Sequence, residues 1–420
     1  MNLSGRNYYR KESGCLLPYC IASVCFFVFA VITFLGFASG CSVESIISDV
    51  NTNLELGEVI EISGEKNIEL DETFADKYYY RILSSSDKQM YKEIYYIISE
   101  FMEEGVITGI DEQRIDNVFY SICFDFPELF YVNGYSYERC YVGGELRQIT
   151  FIPAYLMDRD EAISNQALAK QVSDEWISEI MELVEAQMPG DAYSDMKESD
   201  KRDYLTAKAI FDTVVTRTVY VSDAVNNQNY LSVFLSGQSV CSGYAKAFQY
   251  LCQECGYEAA FVAGDVEDMD GGHAWVLLKT ASGYYYVDPT WGDTYSGNPD
   301  EHSTDDKRYG VNYDYFMVTT EDILKKHQFD SRFEMPKCDA VTLNYYRAEH
   351  LYVADGIRIK DILKREKSDI LRLRFERQKL FENGKDYLID AGCAYEFFGT
   401  QKGVFYALNE DILSIVFWRE

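Results

Sequence analysis

Apolar residues recur at helical spacing in several stretches of this chain. Between 87 and 103 they fall at Met90, Tyr91, Ile94, Ile97, Ile98 and Phe101, which predicts an amphipathic helix ending near Gly105. Ile115, Val118, Phe119 and Ile122 predict a second helix over 111–124, stopped by Phe126-Pro127. Strand-like runs follow at 129–142 and 146–152, with Gly143-Gly144 as the turn between them. A long helix is expected over 159–187, closed by Pro189-Gly190. Another spans about 199–218, with Tyr204, Ala207, Ile210, Phe211 and Val214 directed inward. After the polar loop at 226–229 comes the most informative stretch, 230–293. Beyond 330 the runs 371–375 and 412–418 read as strands.

The N-terminus reads as an address. Arg6, Arg10 and Lys11 precede an almost unbroken apolar run from Leu16 to Ala38, the pattern of an export signal and long enough to span a bilayer. Ala38-Ser39-Gly40-Cys41 resembles a bacterial lipobox, in which Cys41 would be lipidated, although Ala38 stands where Leu is usual. An uncleaved membrane anchor and ordinary cleavage are the other two readings. All three place the body of the protein outside the cytoplasm, joined to the membrane by lipid or helix in the first two. The expected organisation is a leader at 1–41, a polar tether at 42–75, an N-terminal region at 76–196, a central domain at 197–330 and a C-terminal region at 331–420.

Composition narrows the partners. The 420 residues carry 39 Lys+Arg against 69 Asp+Glu, a net charge of −30, which argues against a nucleic-acid ligand because polyphosphate needs a basic face. Four histidines (His273, His302, His327, His350) leave little material for a multi-histidine metal site. Of eleven cysteines, Cys15, Cys20, Cys25 and Cys41 belong to the leader. The other seven are an odd number, so at least one thiol is left over within the chain; Cys123 with Cys140 is a conceivable bridge.

Three short blocks carry the chemistry. In Ser239-Val240-Cys241-Ser242-Gly243-Tyr244-Ala245 the positions Tyr244, Ala247, Phe248 and Leu251 have helical spacing, with Gly256 as a stop. Cys241 therefore opens a buried helix, where the dipole and unpaired N–H groups favour a thiolate and an oxyanion. Taken alone, the thiol is more readily a small buried core residue. Next, Gly271-Gly272-His273-Ala274-Trp275 starts a strand, and 284–290 returns beside it through Thr280-Ala281-Ser282-Gly283. That hairpin pairs Lys279 with Tyr284, Trp275 with Asp288 and His273 with Thr290. His273 and Asp288 then become diagonal neighbours on one face. A slip of one residue would separate them.

In this order the blocks resemble the transglutaminase-like superfamily of papain-type folds: Gly237-Gln238-Ser239-Val240-Cys241-Ser242-Gly243-Tyr244-Ala245, His273-Ala274-Trp275 and Asp288-Pro289-Thr290-Trp291. The resemblance covers roughly 200–320. It implies an α+β fold, with a papain/transglutaminase-like core of a nucleophile helix packed on an antiparallel sheet. N-terminal α/β and small C-terminal α+β regions would flank that core. It implies Cys241 as nucleophile, His273 as base and Asp288 as orienter, with no metal or cofactor. Gln238, Gly243, Tyr244, Trp275 and Trp291 are the candidates on the substrate side. The expected chemistry is acyl transfer on a peptide or other amide substrate. Hydrolysis, protein crosslinking and a non-catalytic scaffold all stay open. Phe126–Tyr131 and Asn344-Tyr345-Tyr346 also resemble flanks of bacterial surface proteins with this domain. Cys252-x-x-Cys255 reads as core rather than a redox or zinc motif, and Asp265, Glu267, Asp268 and Asp270 as a solvated loop.

Overall fold

The computed structural model describes residues 58, 60, 62–108, 111–267, 271–294, 309–400 and 403–419. The leader, Cys41, most of the 42–75 stretch, Asp268, Asp270 and His302 lie outside the described residues. Among the described residues no helix is long and apolar enough to cross a membrane. The chain divides into two compact units. The smaller comprises the described residues up to Cys123 together with Tyr131–Arg159; the larger comprises Phe124–Phe130 and the described residues from Asp160 onward.

In the smaller unit, part of the stretch expected as tether is a helix, α1 (Gly64–Phe74), whose first turn is capped by the Ser63 hydroxyl accepting from Lys66 N–H. Among the described side chains of α1, only Leu70 and Phe74 are buried, one turn apart, too few to register as an amphipathic period. A short helix, α2 (Tyr78–Ile82), leads to α3 (Ser85–Ser99), which buries Met90, Tyr91, Ile94, Ile97 and Ile98. Strand β1 (Gly105–Ile107) and helix α4 (Glu112–Asp125, of which Phe124 and Asp125 belong to the larger unit) precede the hairpin β2 (Val132–Val142) and β3 (Glu145–Tyr155). The sheet order is β1-β3-β2, all antiparallel, with Gly143 and Gly144 at positive φ in the turn. Cys123 and Cys140 form no disulfide, and neither do the five other described cysteines. The conceivable bridge between them is therefore not made.

The larger unit begins with α5 (Arg159–Gln187, of which Arg159 belongs to the smaller unit) and α6 (Glu198–Arg217). Short elements β4 (Val219–Tyr220), α7 (Leu231–Ser236) and β5 (Gln238–Ser239) lead into α8 (Cys241–Glu254). Strands β6 (Ala259–Val266), β7 (Gly272–Thr280) and β8 (Gly283–Val287), helix α9 (Thr320–Ile323) and strand β9 (His327–Phe329) follow. They form an antiparallel sheet ordered β8-β7-β6-β9, against which α8 packs on β6 and β7. Almost every residue of β6 and β7 is buried, as expected of strands covered on both faces. A helix on an antiparallel sheet is the α+β arrangement expected for the core.

The hairpin register is the one the turn requires, with Lys279 opposite Tyr284 and Val276 opposite Val287. β9 reaches β6 because residue 264 is glycine: a Cβ there would stand 2.0 Å from the Gln328 carbonyl oxygen and 2.6 Å from the Trp275 ring. The C-terminal part adds a second sheet, β10 (Tyr352–Val353), β11 (Ile370–Phe375), β12 (Val404–Asn409) and β13 (Ser414–Arg419), ordered β10-β11-β13-β12. Asp314, buried at 4% exposure, accepts from Tyr346 Oη (2.6 Å), Asn409 Nδ2 (2.8 Å) and Ser414 Oγ (2.9 Å), tying this sheet to the central core. A buried carboxylate with three donors is stable only where all three arrive together.

Candidate active site

The element that carries Cys241 is built from close approaches. Gly237 ends α7 in the left-handed conformation (φ 64°), and β5 then pairs in parallel with β4 before α8 begins. Val240 is the N-cap and contributes no side-chain cap, so its carbonyl accepts from Gly243 N–H and Tyr244 N–H. Cys241 is the first residue of α8 and is buried at 7% exposure. The Cys241 and Ser242 N–H groups, which precede those bonds, have no acceptor within their own helix, and the helix dipole adds positive potential there. Beneath this turn lie Ser232, Ser239 and Asn229: Ser232 Oγ donates to the Asn229 carbonyl (2.9 Å), and the two serine hydroxyls are 2.6 Å apart.

His273 enters on β7, opposite Gly264 of β6, and Asp288 directly follows β8. His273 Nε2 lies 2.7 Å from Asp288 Oδ2. A carboxylate only accepts, so Nε2–H donates to it and Nδ1 is the ring nitrogen left to face Cys241, which is near enough to bear on the His273 pKa. Burial opposes charge on the ring, but Asp288 and then Cys241 outweigh it and raise the His273 pKa to about 10. Asp288 is wholly buried. Its desolvation is more than offset by His273 and His327, which hold its pKa well below the usual carboxylate range. Its other oxygen, Oδ1, accepts from Thr290 N–H (2.9 Å) and Trp291 N–H (3.1 Å). Asp288 is therefore fully satisfied by four donors.

The other candidates separate. Gln238 is exposed; Gly243 is buried under the helix turn rather than facing a substrate. Tyr244 and Trp275 have 0% exposure, which makes them packing residues where contacts to substrate were expected. Tyr244 Oη donates to Asp293 Oδ2 (2.8 Å), and the Trp275 ring lies 4.9 Å from that of His327. Trp291 is half-buried, 5.9 Å from the His273 ring and 4.6 Å from that of His327. Burial also fixes the decoys: Cys252 is pushed well above the ordinary thiol range and Cys255 up to about 11. Glu267 pairs with Lys326 at 3.1 Å.

Two residues of the site were not legible in the sequence. His327, on β9, places Nε2 2.9 Å from Asp288 Oδ2. Tyr220, on β4, is half-buried, and its pKa is raised to about 12 by burial and by Cys241 and Asp288 nearby. Neither strand exceeds three residues, too short to show a period. His273, Asp288 and His327 bring ligand atoms within 4.8 Å of one another, as a metal site would. Two ligands of one tetrahedral zinc at about 2.0–2.1 Å stand roughly 3.3 Å apart. The 2.7 and 2.9 Å separations here are hydrogen-bond distances.

Residues 191–289 match the sequence profile of the transglutaminase-like superfamily. No curated protein matches the chain. Among solved structures, a TGase crystal structure shares 13% identity over 41% of this chain and 47% of that one, with a TM-score of 0.22. The periplasmic domain of TgpA from Pseudomonas aeruginosa, bound to ethylmercury, shares 16% identity over 36% of this chain and 58% of that one, with a TM-score of 0.21. The matched part thus spans about half of each of these proteins, and at such scores neither likeness carries weight.

Proposed function

We propose that this chain, whose residues 191–289 match the transglutaminase-like superfamily, is a thiol-dependent acyl-transfer enzyme acting on peptide or other amide substrates. The observation that carries this reading is the 2.7 Å contact of His273 Nε2 with Asp288 Oδ2, with Cys241 at the head of α8 near enough to His273 to help raise its pKa. A nucleophile, a base and a group that orients the base are the parts that covalent catalysis by a thiol requires. His273 takes the proton of the Cys241 thiol. The thiolate attacks the amide carbonyl, forming a C–S bond, and the oxyanion rests against first-turn N–H groups of α8. As the C–N bond breaks, the imidazolium passes its proton to the leaving amine, and an acyl-enzyme remains. Water then attacks the thioester with His273 as base, releasing the acid and restoring the thiol.

Hydrolysis is the favoured fate because water reaches any site an amine can reach. Transfer to a lysine, which would make a crosslinking enzyme, needs water to be held off. An extracytoplasmic location, with Cys41 lipidated as tether, is part of the proposal and is supported by the basic-then-apolar leader.

Iodoacetamide at pH 6, followed by peptide mapping, tests the reading. Cys241 is expected to label much faster than Cys252, Cys255 or Cys338, the last pushed up to about 12 chiefly by burial. The rate should fall in His273→Ala. Equally slow labelling at all four thiols would leave a binding or scaffold role instead. Incubation with casein and a dansylated amine then separates the fates: new peptide N-termini mean hydrolysis, and fluorescent incorporation means transfer.

A further inference from the structure

The triad uses one histidine, yet Asp288 holds two. His273 Nε2 and His327 Nε2 converge on the same oxygen, Oδ2, at 2.7 and 2.9 Å. His327 is wholly buried, and its other nitrogen, Nδ1, lies 3.2 Å from the Ile323 carbonyl at the end of α9. The rings of Trp275, Trp291 and Tyr315 enclose it at 4.9, 4.6 and 5.1 Å. Its titratable neighbours are Asp288, His273 and Tyr315. Placing an imidazole this deep needs β9 paired to β6, Val266 opposite His327, and the missing side chain at Gly264. A ring with no surface has no route to substrate.

What it can reach is the orientation of Asp288. The backbone N–H groups of Thr290 and Trp291 hold Oδ1, so the motion left to the carboxylate is a pivot about Oδ1, through coupled turns of the Cα–Cβ and Cβ–Cγ bonds, that carries Oδ2. Without a second donor, only His273 would hold Oδ2, and His273 is the group that Asp288 has to aim. We propose that His327 is a positioning residue of the acyl-transfer site. It fixes Oδ2 independently of His273, so that the carboxylate directs the His273 ring toward Cys241. This rests on the reading of Cys241, His273 and Asp288 given above.

Two amide side chains divide the roles of the ring. In His327→Gln the amide nitrogen occupies the Nε2 position and still donates to Asp288. In His327→Asn it occupies the Nδ1 position, keeps the Ile323 carbonyl as partner and stops short of Asp288. Each variant of the full chain is read by thermal melting and by the pH–rate profile of Cys241 alkylation. Gln should keep the wild-type profile. Asn should slow alkylation about tenfold or more and move its profile toward that of Asp288→Ala, because displacement of an orienting group costs about that much. A folded His327→Asn with the wild-type profile overturns the proposal, as does a Gln variant displaced as far as Asn. If Asn does not fold, His327→Met, which fills the space without a donor, takes its place under the same criteria. Wild-type Cys241 that labels no faster than Cys255 overturns the triad reading itself, and that outcome is read on the wild-type chain alone.

Discussion

Gly243→Ala exposes how tightly the turn that carries Cys241 is seated. By helix propensity alone the change should stabilise, since alanine is favoured over glycine in a helix by about 1 kcal/mol. The surroundings forbid it: the new methyl would lie 1.9 Å from Ser239 Oγ, 2.8 Å from Ser232 Oγ and 2.9 Å from the Asn229 carbonyl oxygen. Ser239 has 0% exposure and nowhere to retreat. Overpacking of this kind costs about 1–3 kcal/mol, and severing the 2.6 Å contact between the serine hydroxyls leaves a buried polar group worth about 1–3 kcal/mol more. The loss outweighs the propensity gain, leaving the variant about 1–5 kcal/mol less stable. Thermal melting should show a drop of about 2–10 °C. Ser239→Ala removes the nearest obstruction, so the double variant should recover at least about 1 kcal/mol relative to additivity. Because Cys241 rides on the same turn, its alkylation should slow in Gly243→Ala and recover in the double variant. A single variant melting within about 1 °C of wild type, or a double variant with no recovery, would refute this packing account.

Other outcomes follow from the same geometry. Tyr244→Phe keeps the ring volume but loses the 2.8 Å bond to the buried Asp293 carboxylate, so stability in urea should fall by about 1.5–3 kcal/mol; a neutral result would mean the bond contributes nothing. Stability should also depend on pH through the His273–Asp288 pair. With its pKa raised to about 10, His273 keeps its proton in the fold after the unfolded chain loses it near 6.5. Its contribution is therefore full below that pH and lost by about 10, at up to about 1.4 kcal/mol per pH unit. Asp288, lowered in the fold, contributes above the ordinary carboxylate range and loses that contribution as pH falls through it. Urea titrations in Cys241→Ala, where sulfur ionisation does not enter, should show the alkaline limb, ending somewhat below 10. A flat curve there, or one unchanged on adding His273→Ala, would refute it.

Much of the site is readable from residue order alone because its parts are local. A helix declares itself by period, as α3 and α6 do at Met90–Ile98 and Tyr204–Val214. A hairpin with a short turn has one register, so the spacing from His273 to Asp288 through Ala281-Ser282 is enough to place both on one face. Cys241 at the head of α8 follows from the apolar spacing after it and the glycine that ends it. These relations depend on neighbours within about one turn or one hairpin, where the chain has few alternatives.

The remainder was decided by tertiary contact. His327 sits 39 residues beyond Asp288 on a strand of three residues, and only the gap at Gly264 admits that strand to the sheet. Tyr220 comes beside Cys241 and Asp288 through a two-residue parallel pairing that no periodicity announces. Tyr244 and Trp275 look like pocket aromatics in sequence and prove to be core, because burial depends on what the rest of the fold lays over them. Sequence by itself thus determined a thiol at a helix start, and an imidazole and an acid on one face of a hairpin. Only the folded chain, by closing long loops onto one buried oxygen, decided that the acid carries a second imidazole.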